Sequence, residues 1–210
     1  SLGLCDTSNL CGALEFAEKI SKSGTQPIIG TQINFKLNDT TGLLPLFALN
    51  ENGYKTIIKL SSLSFLKNDE LSDPHLDLNE LLNNTEGVAI FSGTINGLFG
   101  QLFNKGKFSE ISEIFSKLKS NYGDRFYIEI QRHNDQNEKE FEKFNLISSK
   151  KIDIPLIATN EVFYINKDMH EAHDALICIK NKTYINEKNR IKYSNQHYLK
   201  NNSEILELFS

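Results

Sequence analysis

The stretch Leu2-Gly3-Leu4-Cys5-Asp6-Thr7-Ser8-Asn9-Leu10-Cys11-Gly12 passes from a short apolar run through a polar turn into a helix-like pattern. The apolar run predicts a β-strand that ends at Asp6. A carboxylate at the C-terminal end of a strand is where α/β barrels carry their chemistry. Because the chain starts inside this strand and has no initiator Met, we expect it to be a piece of a longer protein whose first piece is missing.

Strand-like and helix-like patterns alternate along the rest of the chain. Apolar runs bounded by turn residues predict strands at 26–35, 43–49, 87–91, 126–130 and 155–159. Apolar residues at helical spacing predict helices at 10–20, 108–118, 141–147, 169–179 and 203–209, the last with Ser203 as its N-cap. This alternation predicts an α/β fold with a largely parallel sheet, either open or closed into a barrel.

Turn residues mark the connections between these elements. The Asn-Gly pairs at 52–53 and 96–97 are turn signals, and they do not form the glycine-rich motifs that bind phosphates. The segments 39–42 and 67–74 are predicted to be exposed loops. A polar connector rich in Asn and Lys follows the helix predicted at 169–179.

Composition excludes several classes of protein. The 210 residues are 39% hydrophobic and 24% charged, which is typical of a globular domain, and no apolar run is long enough to span a bilayer. The net charge is −4 and no basic stripe is present, so the chain is a poor candidate for binding duplex DNA itself. The three cysteines have no CxxC spacing, which favours buried thiols in a reducing compartment over a disulfide or zinc site.

Polar residues stand near the ends of the predicted strands: Asp6 closes the first strand, Gln32 falls just after Gly30, and Thr94, His133 and Glu161 follow later strands. In a barrel these positions would converge on one rim. A hydrolytic metal centre with two or three ions needs more His and carboxylate ligands than this set supplies. Simpler explanations exist for two of them: Asp6 is equally well explained as the cap of the following helix, and His133 as a surface loop residue.

The other histidines give weaker signals. His170 and His173 lie at helical spacing and could clasp a metal, but without a third ligand a surface helix is the better interpretation. His75 and His197 have no supporting neighbours in the sequence. No G-x-S-x-G elbow is present and no His lies near Cys5 or Cys11, so nothing in the sequence supports a covalent mechanism.

Several motifs, taken in order, resemble a known family. They are Cys5-Asp6-Thr7-Ser8-Asn9-Leu10-Cys11-Gly12, Gln26-Pro27-Ile28-Ile29-Gly30, Ala48-Leu49-Asn50-Glu51-Asn52-Gly53-Tyr54, Gly87-Val88-Ala89-Ile90-Phe91-Ser92-Gly93, Asp124-Arg125-Phe126-Tyr127-Ile128-Glu129-Ile130-Gln131-Arg132-His133, Pro155-Leu156-Ile157-Ala158-Thr159-Asn160-Glu161 and Ala172-His173. Together they resemble the polymerase-and-histidinol-phosphatase (PHP) domain, in the form found at the N-terminus of bacterial replicative DNA polymerase III alpha subunits. The resemblance extends over residues 1–210.

The resemblance implies a distorted (β/α)7-type barrel, which lacks its first strand in this chain. It also implies two parts. Residues 1–168 would form the PHP domain, truncated at its N-terminus, and residues 169–210 its helical C-terminal part with the connection toward the polymerase palm.

The resemblance further implies a degenerate metal site. Metal-bearing members carry a His-x-His pair on a strand that this chain lacks, and their motifs supply further His and acidic ligands. Three ligand positions are lost in this chain, at Thr7, Thr94 and Phe163. Gln32 replaces an acidic ligand by a neutral one, and Glu161 lengthens a carboxylate. Asp6 and His133 retain the family's ligands. Thr, Gln and Phe cannot replace charged oxygens and imidazole nitrogens at such a site. We therefore expect no bound metal and no catalytic residue in this chain.

Three functional hypotheses follow. In the leading one, the chain is a structural PHP domain of a polymerase alpha subunit that docks the proofreading exonuclease subunit. DNA synthesis with Mg²⁺, and contact with DNA, would then belong to the remainder of a cytoplasmic polymerase with no membrane partner. The runner-up is an active metal-dependent phosphoesterase or 3′–5′ exonuclease of the same fold. It would use Asp6, His133 and Glu161 together with ligands on the missing strand to bind zinc, manganese or iron. The third is a stand-alone α/β hydrolase-like protein.

Overall fold

A computed structural model of the chain describes residues 1–69 and 72–210. Its strands are β1 (Leu2–Thr7), β2 (Pro27–Leu37), β3 (Thr40–Ala48), β4 (Leu76–Asp77), β5 (Val88–Phe91), β6 (Phe126–Ile130) and β7 (Leu156–Ala158). Its α-helices are α1 (Ala13–Lys22), α2 (Glu51–Leu66), α3 (Leu78–Leu82), α4 (Leu98–Asn104), α5 (Phe108–Tyr122), α6 (Glu138–Ile152), α7 (His170–Asn181) and α8 (Asn202–Phe209). The predicted α/β class is confirmed. The loop predicted at 67–74 includes residues 70–71, which lie outside the described residues.

The strands form one mixed sheet in the order β1-β2-β3-β5-β6-β7, with β4 paired to β2. The pairs β1–β2, β2–β4 and β5–β6 are parallel, whereas β2–β3 and β3–β5 are antiparallel. The prediction of a largely parallel sheet is therefore wrong at its centre. A parallel pair needs a crossover of a dozen or more residues, and the chain between β2 and β3 is far too short for one.

The β2–β3 hairpin turns at Asn38 and Asp39, between the paired residues Leu37 and Thr40. Asn38 has a φ of 54°, in the left-handed region that Asn adopts more readily than most residues. The loop predicted at 39–42 is thus confined to a two-residue turn, and Thr40 at its end is buried.

Helix α2 lies where the sequence predicted only a turn. The side chain of Asn50 caps it by accepting a hydrogen bond from the Gly53 N–H at 3.0 Å. Gly53 is needed inside this helix because a Cβ there would lie 1.8 Å from the carbonyl oxygen of Gly87. The Asn-Gly pair at 52–53 therefore reflects a helix start and a close approach of two backbone segments.

Helix α1 confirms the helix predicted from the apolar residues at 10, 14, 17 and 20. Leu14, one of these residues, is nevertheless 74% exposed, and Ala13 is the buried residue of the helix. Helical spacing of apolar residues therefore located the helix without showing which residue is buried.

The chain divides into two compact units, one formed by Ser1–Glu129 with Asn145–Ile157 and the other by Ile130–Phe144 with Ala158–Ser210. Unit 1 has an apolar core on β2, β3 and β5 and on the helices that pack against them. Phe115 lies at its centre, with ring centroids 4.8 Å from Phe99 and 5.5 Å from Phe126. Such tilted aromatic contacts add to the stabilisation that burial itself provides.

Tyr122, the last residue of α5, is almost fully buried in unit 1. Its hydroxyl donates a hydrogen bond to the Leu81 carbonyl oxygen at 2.9 Å. Burial raises the pKa of this phenol strongly, because the phenolate would have to form away from water.

Unit 2 carries α7 and α8 and the segments between and before them. The predicted helices at 169–179 and 203–209 are confirmed within two residues, but the N-cap of α8 is Asn201 and not Ser203. Asn201 and Glu204 form a reciprocal capping box, with bonds of 3.0 and 2.8 Å. Within the described residues, no helix is both long enough and apolar enough to cross a membrane.

Candidate functional site

In unit 1, three of the predicted site positions lie where the end of β1 pairs with the middle of β2. Thr7 is in register with Gln32, and Asp6 is in register with Thr31. The Ser8 N–H donates to the Gln32 carbonyl oxygen at 2.7 Å, which extends the pairing past the end of β1. The structure therefore brings Asp6, Thr7 and Gln32 together on neighbouring strands.

Asp6 does not cap α1, contrary to one of the two interpretations from the sequence. The N-cap of α1 is Gly12, which has no side chain to accept a hydrogen bond from the helix start. The intervening turn is held by Asn9, whose Oδ1 accepts from the Cys11 N–H at 2.9 Å, and by Thr31, whose hydroxyl donates to the Asp6 and Asn9 carbonyl oxygens at 2.7 and 3.0 Å. The Asp6 carboxylate is left as a partly exposed group at the strand end.

Thr94 follows β5, and β3 separates β5 from β2 in the sheet. Its hydroxyl accepts from the Asn96 N–H at 3.1 Å, and its carbonyl oxygen accepts from the Gly97 N–H at 3.0 Å. Gly97 is the N-cap of α4, so the Asn-Gly signal at 96–97 marks a helix start. Thr94 has a local structural role in this turn.

In unit 2, His133 is buried with 1% of its surface exposed, so its interpretation as a surface loop residue is wrong. Its backbone N–H donates to both carboxylate oxygens of Glu138 at 2.9 Å, and the Asn134 N–H donates to Glu138 Oε2 at 2.8 Å. Glu138, the first residue of α6, thus folds the 133–138 loop back on itself. This carboxylate anchors the backbone that carries His133.

Four rings of unit 2 form a stack, here called the ring stack. The His133 and His197 rings are nearly parallel, with centroids 4.1 Å apart. His197 stacks in turn on Phe163 at 4.7 Å, and Phe163 stacks on His173 at 5.2 Å. Tyr193 packs edge-on against His197 at 5.5 Å. Sequence analysis did not predict that His197 belongs to the site, because it lies in a polar connector without a recognisable motif.

A polar network adjoins the stack at Asn160. His133 Nε2–H donates to Asn160 Oδ1 at 3.2 Å, and the Lys200 ammonium donates to the same oxygen at 2.9 Å. Asn160 Nδ2 donates to the Tyr198 carbonyl oxygen at 2.8 Å. Lys200 also donates to the Gln196 carbonyl oxygen. The amide therefore fixes the neutral tautomer of His133 that carries its proton on Nε2.

Glu161 and Phe163 reach the ring stack from the segment after β7. Glu161 Oε2 lies 3.8 Å from His197 Nδ1, and the Glu161 carbonyl oxygen accepts from the same nitrogen at 3.3 Å. Phe163 is 38% exposed, although its ring stacks on both His197 and His173. Of the predicted positions, His133, Glu161 and Phe163 are thus grouped around His197.

His170 and His173 do not form a clasp for a metal. His170 Nε2–H donates to the Tyr193 carbonyl oxygen at 3.0 Å, while His173 is the last ring of the stack. Both are half-buried, so the interpretation as an ordinary surface helix is also incomplete. On the same helix, Leu176 and Ile179 are exposed, whereas Cys178 is buried.

The electrostatics of unit 2 favour uncharged rings. Burial, with the neighbouring His197 and Lys200, lowers the pKa of His133 to about 3. Burial also lowers the pKa of His197 and of Lys200. Desolvation disfavours the charged form of each group, so the stack is neutral at physiological pH.

These donors do not fit a hydrolytic metal centre. His133 Nε2 is bonded to Asn160, Phe163 offers no donor atom, and Thr7 and Gln32 present only neutral oxygens. Among residues 1–69 and 72–210, no group of three or more His, Cys, Asp or Glu side chains is placed to hold a metal ion. Chemically, the arrangement in unit 2 can pack, orient and exclude water, and it presents no activated nucleophile.

Comparison with known proteins gives consistent matches. A profile of the family described as PHP domain matches residues 1–133. The DNA polymerase III subunit alpha of Rickettsia conorii is 38% identical over 99% of this chain and 18% of that protein. The proteins of the same name from Caulobacter vibrioides and Vibrio cholerae are 33% and 30% identical, over 99% and 100% of this chain and 19% and 18% of theirs. The chain therefore spans about a fifth of the length of the curated relatives it matches.

A solved structure described as a metal-dependent phosphoesterase from Bifidobacterium adolescentis is also similar. It has a TM-score of 0.45 and 11% sequence identity, over 75% of each chain. Likeness at this level supports no statement about the chemistry of the present chain. The resemblance stated from the motifs is confirmed by the profile and by the sequence relatives.

Proposed function

Because the chain belongs to the PHP domain family, we propose that it is the PHP domain of a replicative DNA polymerase III alpha subunit and acts as a structural and docking element. We further propose that this polymerase is cytoplasmic, and that the remainder of the subunit contacts DNA and carries out Mg²⁺-dependent synthesis. Within the chain, we propose that residues 1–168 form the PHP domain and that residues 169–210 form a helical connection to the polymerase.

The main support for a structural role is that a residue at a metal-ligand position of the family packs against other side chains and offers no metal-binding atom. Phe163 contributes an apolar ring where the family pattern has a His, and this ring stacks on His197 and His173. Thr7 and Gln32 are paired on the neighbouring strands β1 and β2, and neither side chain carries a charge that would attract a cation. A metal ion that activates water needs several charged or imidazole donors held around it, and these residues do not supply them.

The relatives support the polymerase context. Several proteins named DNA polymerase III subunit alpha match the chain over 99% or more of its length at 30–38% identity. We propose that the proofreading exonuclease subunit is the docking partner, with this chain contributing surface and no catalytic group.

Metal analysis tests the loss of the metal site. The purified protein, exchanged against zinc, manganese and iron salts in turn, is expected to retain far less than one equivalent of each. The matched variants Asp6→Asn and Glu161→Gln are expected to leave that content unchanged. Stoichiometric metal that is lost in either variant and supports phosphoesterase activity would establish the alternative, an active phosphoesterase or exonuclease.

Direct binding tests the docking role. The protein is titrated with the exonuclease subunit of the same organism and followed by calorimetry, and saturable binding at micromolar concentrations or below is expected. An unrelated nuclease of similar charge serves as the control. Absence of binding throughout this range contradicts the docking role and leaves the metal result unaffected.

A further inference from the structure

The segment from Tyr193 to Lys200, here called the closing segment, lies along residues 160–164 within unit 2. The Phe163 and Tyr164 N–H groups donate to the His197 carbonyl oxygen at 2.9 and 3.4 Å, and the Leu199 N–H donates to the Tyr164 carbonyl oxygen at 3.0 Å. Tyr164 and Tyr198 form an isolated parallel bridge. The backbone of the closing segment is thus paired as a short extra strand.

Side chains add to this pairing on both sides. The Tyr164 hydroxyl donates to the Ser194 carbonyl oxygen at 3.1 Å, and Asn160 Nδ2 donates to the Tyr198 carbonyl oxygen at 2.8 Å. His170 Nε2–H holds the Tyr193 carbonyl oxygen at 3.0 Å. An isolated pairing of two residues would be marginal in water, so these contacts need a packed face to persist.

His197 supplies that packed face. Its side chain is 1% exposed and lies between the His133 ring on one side and the Phe163 ring on the other. Its Nδ1–H donates to the Glu161 carbonyl oxygen at 3.3 Å, whereas Nε2 is buried and has no hydrogen-bond partner among the described residues. A buried nitrogen without a partner is costly, so the stacking on both faces of the ring must offset that cost beside the single Nδ1–H bond.

The same geometry covers His133. One face of the buried His133 ring is occupied by His197, and its Nε2 is bonded to Asn160, which is itself held by Tyr198 and Lys200 of the closing segment. A reagent or ligand can therefore reach His133 from that face only after the closing segment has moved away.

We propose that the closing segment is a strap, locked by the insertion of the His197 ring between His133 and Phe163, which holds unit 2 together and shields His133 without a metal ion. Metal ions stabilise protein sites by tying several chain segments to one point. In this protein the His197 ring has the same effect, because it packs against both His133 and Phe163 and so connects the segments around these two residues with the closing segment. The strap rests on the proposed loss of the metal site, and it does not depend on exonuclease docking.

Hydrogen exchange of the whole protein tests the strap through the amides of Phe163, Tyr164 and Leu199. In His197→Ala these amides are expected to exchange about tenfold faster or more, while the amides of Leu46 and Ile90 in the unit 1 sheet keep their protection. The matched control is Asn195→Ala, an exposed position in the same segment that is expected to match the wild type. In His197→Phe, which keeps a ring, most of the protection is expected to remain.

Carbethoxylation of histidine, mapped by mass spectrometry, gives a second readout. His133 is expected to be protected in the wild type and in Asn195→Ala, and to react in His197→Ala. Both readouts are repeated in excess chelator, where the wild type is expected to be unchanged.

Three results overturn the strap. They are unchanged protection in His197→Ala, equal loss of protection in His197→Phe and His197→Ala, and loss of wild-type protection in chelator. The last result would also overturn the proposed absence of a metal site, whereas the first two would leave it intact. If His197→Ala does not fold, His197→Phe and the chelator experiment still decide the question.

Discussion

At the scale of single residues, Gly53 occupies a position where no side chain fits. An added Cβ would lie 1.8 Å from the Gly87 carbonyl oxygen, which is backbone and cannot rotate away. We expect Gly53→Ala to lower the free energy of unfolding by about 3 kcal/mol, because the backbone of α2 must move off the loop before β5. Urea denaturation followed by circular dichroism measures this loss.

Gly3→Ala is the matched control for this substitution. A Cβ at Gly3 would make its nearest contact at 3.7 Å, with Phe47 Cε1, which is an ordinary distance. The control is expected to stay within about 0.5 kcal/mol of the wild type, since the only change is a small difference in backbone propensity. Equal unfolding midpoints for both variants would show that the backbone at 53 can yield.

His133 makes the stability depend on pH. Its pKa is about 3 in the folded protein because it is buried, and it returns to an ordinary value near 6.5 on unfolding. Between these values the unfolded chain binds more protons, so stability is lost as the pH falls below about 6.5. We expect a loss of about 2 kcal/mol between about pH 7.5 and about pH 5, measured by urea unfolding at each pH.

Substitution of His133 by Phe tests this assignment. The variant keeps a ring against His197 and removes the titrating group, so its stability is expected to depend less on pH. His75→Gln serves as the control, because the His75 ring bonds to the Asp73 carbonyl oxygen within its own loop at 2.8 Å. A steep pH dependence that persists in His133→Phe would assign it to other groups.

At the scale of elements, α8 is attached to the rest of unit 2 largely through Arg132. The guanidinium makes a two-point contact with Glu142 at 3.1 and 2.7 Å, and it also donates to the Leu208 carbonyl oxygen at 2.6 Å. Its Cζ lies 5.0 Å from the centre of the Phe209 ring. No residue of α8 is fully buried, so few apolar contacts can replace these bonds.

We expect Arg132→Lys to loosen α8 selectively. Lysine keeps the charge but cannot form the planar two-point contact and the third bond at once. The amides of the last turn of α8 should exchange about tenfold faster, while α7 is unchanged. Lys139→Ala, at an exposed position on α6, is the control. Uniform exchange across the three proteins would mean that α8 is held by other contacts.

Elements were predicted well from the sequence where the residues that recur at the period of the strand or helix are also the buried ones. The strand β6 was predicted with its observed bounds because Phe126, Ile128 and Ile130 are all buried. Helix α2 was missed because Asn50 and Gly53, which resemble turn residues, act here as a cap and as a point of close approach. The antiparallel direction of β3 was missed because a local apolar pattern predicts a strand without showing which strand it pairs with. The short Asn38-Asp39 turn, which joins β2 and β3 into a hairpin, was not recognised.

Some positions of the candidate site were located from the sequence and others were not, depending on whether a local pattern marks them. Positions that follow strands, such as Thr94 and His133, can be located from the strands themselves. His197 and Lys200 could not be, because they lie more than 60 residues from His133 in sequence and their role arises only when the chain folds back. A histidine in a polar connector has no local pattern that distinguishes a buried ring from an exposed one.

At the scale of the whole molecule, charge predicts weak affinity for nucleic acid. With a net charge of −4 and no basic stripe, the chain cannot release many counterions from a duplex. We expect no binding to a labelled DNA duplex at protein concentrations up to about 10 μM in about 0.15 M salt, measured by fluorescence anisotropy. Polylysine of similar mass is the positive control. Saturable binding near 1 μM or below, at about this salt concentration, would contradict the prediction.

The buried phenol of Tyr122 also gives the molecule an internal optical reporter. The chain has seven tyrosines and no tryptophan, so its near-ultraviolet absorbance comes mainly from phenol groups. Because burial raises the pKa of Tyr122 strongly, this phenol stays un-ionised in alkali that ionises an exposed tyrosine. The late appearance of its phenolate would therefore signal that the packing of α5 against the Leu81 carbonyl has opened, without any added label.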